Sequence, residues 1–136
     1  MSPTAERQRH GALERPPTVL VVEDEIIIRL VIADYLRDFG YRVIEASDAE
    51  EALKVLDKTD EMIDIVFSDV QMPGEMDGFA LAQRLRRDYP TIKVVLTSGV
   101  AKQTDAAEAL CEEKNAFISK PYEAAEVERR IWLFLA

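Results

Sequence analysis

Strand-like and helix-like segments alternate along this chain five times without a break. Short apolar runs rich in β-branched residues occupy residues 18–22, 41–46, 63–68, 93–98 and 116–119. Each run is followed by a segment with the length or periodicity of a helix, at residues 26–39, 47–58, 78–90, 104–114 and 123–136. Such alternation favours a parallel sheet with helices on both faces. We therefore expect a doubly wound α/β domain with five parallel strands.

Local signals sharpen these boundaries. Gly40 should end the first helix, and Ser47 with Glu50 three residues later has the spacing of a capping box for the second. The second strand alternates in polarity, as expected at a sheet edge, whereas the first, third and fourth are mostly apolar. We expect residues 1–17 to be a flexible extension and residues 18–136 to be the domain.

Charge and composition exclude several classes of function. The chain of 136 residues has 26 acidic and 17 basic side chains and a formal net charge of −9, which argues against binding nucleic acid. It contains no apolar run near the ~20 residues of a membrane span. The single cysteine, Cys111, allows no internal disulfide and is compatible with a cytoplasmic location. His10, the only histidine, lies in the polar tail without other metal-ligating residues around it.

The predicted strands end in residues that carry chemistry. In parallel α/β sheets, ligands bind at the carboxyl ends of the strands. Residues of three kinds follow successive strands there, namely carboxylates, a hydroxyl and an ammonium group: Glu23, Asp24, Glu25, Asp69, Thr97 and Lys120. Each has an ordinary interpretation on its own, such as a helix start or a turn. Their order at successive strand ends makes coincidence a poor explanation.

The chemistry of this set is that of phosphoryl transfer. Clustered carboxylates repel each other unless a cation lies among them, and an oxygen-only site suits Mg²⁺. A carboxylate beside such an ion can accept a phosphoryl group. Phosphoryl transfer requires positioning and neutralisation of the peripheral oxygens, to which a lysine and a hydroxyl contribute.

Four segments together resemble the receiver domain of bacterial two-component response regulators: "VLVVEDE", "DIVFSDVQMPGEMDGF", "VVLTSG" and "FISKPY". The resemblance covers about residues 18–136. It implies a flavodoxin-like strand order, 2-1-3-4-5, and makes Asp69 the phosphoacceptor. It also implies an Mg²⁺ site formed by Asp24, Asp69 and the backbone carbonyl of Gln71, with Glu23 acting through water.

The resemblance assigns the remaining site residues to switching. Thr97 would be the switch hydroxyl, Lys120 would pair with the phosphoryl group, and Phe117 takes the place of the switch aromatic. It further implies a cis peptide bond between Lys120 and Pro121. One departure concerns the loop after the third strand, which is a residue longer than usual; we expect a local bulge there without loss of chemistry.

We therefore expect a stand-alone, phosphorylation-activated signalling switch. The phosphodonor would be a histidine kinase or a phosphotransfer protein, and the output a contact with an unknown downstream protein. Apart from Mg²⁺-dependent phosphorylation and dephosphorylation of itself, it would not be an enzyme. The fourth helix, fifth strand and terminal helix form a possible homodimer face. Trp132 either joins that face or covers its own domain, while Val127 and Ile131 should face the sheet.

Two alternatives remain open. A phosphatase of the haloacid-dehalogenase type also uses a strand-end aspartate and Mg²⁺. That class carries a second aspartate two residues after the nucleophile as general acid, and here the position holds Gln71. A receiver-like binding module that is not phosphorylated is the other alternative, because fold alone does not determine function. Uptake of a phosphoryl group from a small-molecule donor distinguishes it from the switch.

Overall fold

The computed structural model describes residues 15–99 and 117–135. The strands are β1 (Thr18–Val22), β2 (Arg42–Ala46), β3 (Ile65–Asp69), β4 (Lys93–Ser98) and β5 (Phe117–Ser119). The helices are α1 (Ile26–Asp38), α2 (Ala49–Lys58), α3 (Gly78–Asp88) and α4 (Ala124–Leu135). The helix predicted at residues 104–114, with Cys111, lies outside the described residues, as do His10 and most of the predicted extension.

All five strands are parallel and form one sheet in the order β2-β1-β3-β4-β5, so the predicted fold is confirmed. Every residue of β1 and β3 is buried, as expected for central strands covered on both faces. The strand predicted at an edge, β2, is indeed at an edge and leaves Arg42 exposed. Among the described helices, none is long and apolar enough to cross a membrane.

Side chains of successive strand residues point to opposite faces of the sheet, and each face has its own core. Val19, Val21, Ile65 and Phe67 pack with residues of α1 and α4. Leu20, Val22 and Val66 pack on the other face with residues of α2 and α3. The helices therefore cover both faces in pairs, which holds the carboxyl ends of the central strands rigidly at one edge.

The end of α1 explains why the chain turns into β2 at Gly40. Gly40 has a φ of 101°, a left-handed conformation that glycine adopts without strain. Its N–H donates to the carbonyl of Arg37 at 2.9 Å, and that of Tyr41 donates to Leu36 at 3.2 Å. These two bonds form a Schellman motif and satisfy carbonyls that the helix leaves unpaired. The predicted stop at Gly40 is confirmed.

The predicted capping box of α2 is wrong by one residue. Asp48 rather than Ser47 caps the helix, because its extended backbone lets the carboxylate accept a hydrogen bond from the N–H of Glu51 at 2.8 Å. Glu51 rather than Glu50 reaches back, and its carboxylate accepts from the N–H and the hydroxyl of Ser47, each at 3.1 Å. An anionic cap also suits the positive end of the helix dipole.

The terminal helix α4 buries more than the predicted stripe. Val127 and Ile131 are fully buried against the sheet, as predicted. Glu128 lies off that stripe, four residues before Trp132, yet it is only 1% exposed and accepts a hydrogen bond from the Tyr41 hydroxyl at 2.9 Å. Because α4 also contacts α1 and the turn after it, its buried face includes Glu128 as well as the predicted stripe. Trp132 is half-buried.

Candidate functional site

Asp69 closes β3 at the edge of the sheet where the central strands end. The residue is 4% exposed. On one side Asp69 is paired in register with Thr97 of β4, and on the other side β1 ends at Val22, directly before Glu23 and Asp24. The parallel topology thus brings together residues that are far apart in sequence. This is the edge at which parallel α/β sheets bind ligands.

The acidic pair after β1 is held in place by backbone contacts. The N–H of Glu23 donates to the carbonyl of Ala46 on β2 at 3.0 Å. Arg29 of α1 reaches back and donates to the carbonyl of Glu23 at 3.0 Å, while its Nε pairs with Glu45 at 3.2 Å. The turn between β1 and α1 is therefore fixed by both neighbouring elements, which sets the direction of the carboxylates.

Glu23, Asp24 and Asp69 form one carboxylate cluster. Each offers an oxygen, and these oxygens all lie within 4.8 Å of one another. Burial raises the pKa of Glu23 to about 7; the N–H of Glu25 opposes this, and the carboxylates of Asp69 and Asp24 add to it. Three carboxylates this close favour a cation among them, and an oxygen-only donor set fits Mg²⁺. The predicted carboxylates therefore lie together in a suitable arrangement.

Both oxygens of Asp69 accept a hydrogen bond. Lys120 donates from Nζ to Oδ2 at 2.8 Å, and the N–H of Gln71 donates to Oδ1 at 3.2 Å. Burial works to lower the pKa of Lys120, but its hydrogen bond to Asp69 and the surrounding carboxylates outweigh burial and raise it. The lysine therefore carries its charge at neutral pH. The metal-binding role of the Gln71 carbonyl stays a prediction.

Lys120 owes its position to the end of β5. Its N–H donates to the carbonyl of Ser98 on β4 at 3.0 Å, and its peptide bond to Pro121 is cis, as the resemblance implied. An ammonium group at this place can neutralise negative charge that develops on a group attached to Asp69.

Thr97 and Phe117 are both buried. The Thr97 side chain is fully buried, and its Oγ1 has no hydrogen-bond partner within residues 15–99 and 117–135. It is thus a donor available to an incoming acceptor. Phe117 is 7% exposed and packs with Val70, Ala82 and Leu96. Its predicted swing during switching stays a prediction, and any such movement would start from this buried position.

The long loop after β3 keeps α3 close to the site. Gly74 has a φ of 103°, so the loop turns through a left-handed residue. At Gly78 a Cβ would lie 2.4 Å from the backbone oxygen of Asp69, and the N–H of Gly78 donates to the carbonyl of Val70 at 2.8 Å. Only glycine lets the helix start this close to the end of β3. Asp77 caps α3 by accepting from the N–H of Ala80 at 2.9 Å.

An apolar groove of about 510 Å³ lies beside Lys120. Side chains of α1 and of the segment after β5 line it: Ile27, Ile28, Val31, Ile32, Lys120, Pro121, Tyr122 and Ala124. On its α1 side, Ile27 and Val31 are 72% and 55% exposed. Sequence reasoning missed this surface, although the run "IIIRLVI" signals it because a helix with one buried face does not need six apolar residues in seven.

Comparisons with known proteins agree with this geometry. The family model described as "Response regulator receiver domain" matches residues 19–131. "Sensor kinase CckA" of Brucella abortus is 41% identical over 105 residues, which are 77% of this chain and 11% of that protein. "Probable transcriptional regulator ycf27" of Guillardia theta is 34% identical over 119 residues, which are 88% of this chain and 45% of that protein. The chain thus spans less than half the length of these curated relatives.

Solved structures show the same fold. The receiver domain of the hybrid histidine kinase CckA has 34% identity and a TM-score of 0.70, with 88% of this chain and 99% of that chain covered. The response regulator TrrA of Thermotoga maritima, in complex with Mg²⁺-BeF, has 27% identity and a TM-score of 0.71, with 85% and 96% covered. With the family model matching most of its length, this chain belongs to the response regulator receiver domain family.

Proposed function

We propose that this protein is a phosphorylation-controlled signalling switch in which Asp69 accepts a phosphoryl group from a histidine kinase or a phosphotransfer protein. Members of the family are signalling modules rather than conventional enzymes. The observation that carries the proposal is the environment of Asp69: a buried strand-end carboxylate, clustered with Glu23 and Asp24, and bonded to Lys120 at 2.8 Å.

The proposed transfer is a displacement at phosphorus. An oxygen of Asp69 forms the new P–O bond while the P–N bond of the donor phosphohistidine breaks. The electron pair of the broken bond stays on the imidazole nitrogen, which then takes up a proton. Glu23, Asp24 and Asp69 would hold Mg²⁺, whose charge when bound offsets that of the phosphoryl oxygens. Lys120 supplies a second positive charge, and the buried Thr97 hydroxyl offers a hydrogen bond to a phosphoryl oxygen.

The apolar groove supports a protein as the phosphodonor. Its lining includes Lys120, so a molecule that packs against Ile27 and Val31 lies next to Asp69. Exposed apolar surface of this kind is typical of protein contacts. A small phosphodonor does not require an apolar contact surface of this kind. We therefore propose that the donor protein docks on α1 and the segment after β5 while its phosphohistidine faces Asp69.

Phosphorylation itself can be tested with a small-molecule acyl phosphate and Mg²⁺. The intact mass of the wild-type protein should increase by one phosphoryl group, and Asp69→Asn should show no increase. Equal uptake by the variant, or no uptake by a wild-type protein that binds Mg²⁺, would contradict the assignment. The second of these outcomes would favour a binding module that is not phosphorylated.

The docking surface can be tested by comparing two donors. Ile27→Lys should slow transfer from a phosphorylated phosphotransfer protein about tenfold, because it places a charge in an apolar contact, and should leave uptake from the small donor unchanged. Met62→Lys is the matched control. Met62 is 68% exposed and precedes β3, so it lies near the amino ends of the strands, opposite the end that carries Asp69. If Ile27→Lys and Met62→Lys change the rate of transfer from the protein donor equally, the groove is not the docking surface.

A further inference from the structure

The hydroxyl of Tyr122 is buried next to the site and is not used by the chemistry described above. It has no hydrogen-bond partner in the part of the chain that the structure describes. The ring packs edge-on against Phe67, with 6.0 Å between the ring centroids and an interplanar angle of 90°. A buried hydroxyl without an acceptor is destabilising, so its presence calls for an explanation.

Negative charge surrounds this hydroxyl. Its pKa is raised by burial and then by the carboxylates of Glu23, Asp69 and Glu25, in that order of effect. A neutral O–H donor in such surroundings has carboxylates as its natural acceptors. Of the three, Glu23 exerts the strongest charge effect and is only 2% exposed, whereas Glu25 is exposed. Asp69 already accepts bonds from Lys120 and Gln71.

The position of Tyr122 in the chain links it to the same machinery. It follows Lys120 and Pro121 directly, and its ring packs against the core cluster that contains Val21 and Phe67. These two residues are paired in register, and Glu23 and Asp69 come two residues after them, so Tyr122 lies on the face of the sheet from which both carboxylates extend. The contact with Phe67 of β3 anchors the ring to the strand that carries Asp69. Ring and carboxylate cluster are therefore attached to the same rigid part of the sheet.

We propose that Tyr122 is a positioning residue whose hydroxyl donates a hydrogen bond to the carboxylate of Glu23 in the cation-loaded protein. This rests on the proposed function, because it assumes the Mg²⁺ site at Glu23, Asp24 and Asp69. Carboxylates that hold a metal are generally themselves held by hydrogen bonds from surrounding groups, which fix their orientation. Tyr122 would orient Glu23 without touching the phosphoryl group.

Tyr122→Phe tests the proposal, because it removes the hydroxyl and keeps the ring that packs on Phe67. Titration calorimetry with Mg²⁺ alone should show affinity about tenfold weaker than that of wild type. The melting temperature of the metal-free variant should equal or exceed that of wild type, because the hydroxyl has no bond to lose. Tyr35→Phe is the matched control, because Tyr35 lies in the last turns of α1, away from the carboxyl ends of the strands. The Mg²⁺ affinity of this variant should match that of wild type.

A double-mutant cycle identifies the acceptor. In a Glu23→Ala background, removing the Tyr122 hydroxyl should change Mg²⁺ affinity less than about twofold. An undiminished effect in that background would overturn the assignment to Glu23. Equal Mg²⁺ affinity of wild type and Tyr122→Phe, or a lower melting temperature of the metal-free variant, would also overturn the proposal. Absence of Mg²⁺ binding by the wild-type protein would instead overturn the proposed function on which it rests.

Discussion

The metal-free protein should become less stable between about pH 5 and about pH 8 as Glu23 ionises. Burial raises the pKa of Glu23 from the ordinary 4.5 to about 7. Over this interval the folded protein binds a proton that the unfolded chain has released. The stabilisation that comes from a raised pKa is fully present below the pKa of the unfolded chain. It is lost as the pH rises through the pKa of the folded protein. The free energy of unfolding should therefore fall with increasing pH.

The size of the loss follows from the pKa difference. Each pH unit over which only the folded state holds the proton changes the free energy of unfolding by ~1.4 kcal/mol. The interval from 4.5 to about 7 thus gives an upper limit of about 3 kcal/mol. Glu23 is 2% exposed, but its neighbour Asp24 is exposed, so solvent screens part of the effect. We expect a loss of about 1–3 kcal/mol.

Urea unfolding with a chelator present, repeated across this pH range, measures the effect. Glu23→Gln is the control, because it keeps the size of the side chain and removes the titrating group; its stability should change less with pH. Saturating Mg²⁺ should reduce the loss in the wild-type protein, because the cation favours the ionised carboxylate. This prediction is refuted if the free energy of unfolding of the wild-type protein stays level as the pH increases, or rises relative to that of Glu23→Gln. Either result would show that burial does not raise the pKa of Glu23.

Three further substitutions have distinct expected results. Asp24→Ala should weaken Mg²⁺ binding at least ~10-fold by calorimetry and leave the metal-free protein as stable or more stable in urea, because one like charge is removed; unchanged affinity would contradict the site. Gly78→Ala should lower the free energy of unfolding by about 1–3 kcal/mol, because its Cβ would meet the Asp69 backbone oxygen at 2.4 Å; wild-type stability in urea would contradict this. Thr97→Ala should still be phosphorylated but lose the effect of phosphorylation on Phe117 and on dimerisation or partner binding, measured by sedimentation and pull-down; a wild-type response would refute this coupling.

The fold class and the position of the site were accessible from sequence because local patterns determine both, whereas the strand order came from the family resemblance. Apolar runs of strand length alternate with helical segments, and that alternation permits few arrangements. Residues at the ends of parallel strands must then meet at one edge, so Asp69, Glu23 and Lys120 could be brought together without coordinates. Gly40 was a reliable helix stop because its left-handed conformation is a property of the residue itself.

Features that depend on a distant partner were not accessible. Glu128 is buried because Tyr41, 87 residues earlier, donates a hydrogen bond to it, and helical periodicity cannot show such a partner. The shift of the α2 cap from Ser47 to Asp48 reflects a choice between two adjacent residues that both cap well. The significance of Tyr122 emerged only when its hydroxyl was found buried without an acceptor among the described residues.

Locating the phosphoryl group on the chain tests the central claim most directly. The protein is incubated with a phosphodonor and Mg²⁺, and the acyl phosphate is reduced with borohydride, which converts a phosphorylated aspartate to homoserine. Peptide mass mapping then identifies the modified residue. The expected result is modification at Asp69 alone, dependent on Mg²⁺ and absent in Asp69→Asn. Modification at another residue, or none in a folded protein that binds Mg²⁺, would contradict the role of Asp69 as phosphoacceptor.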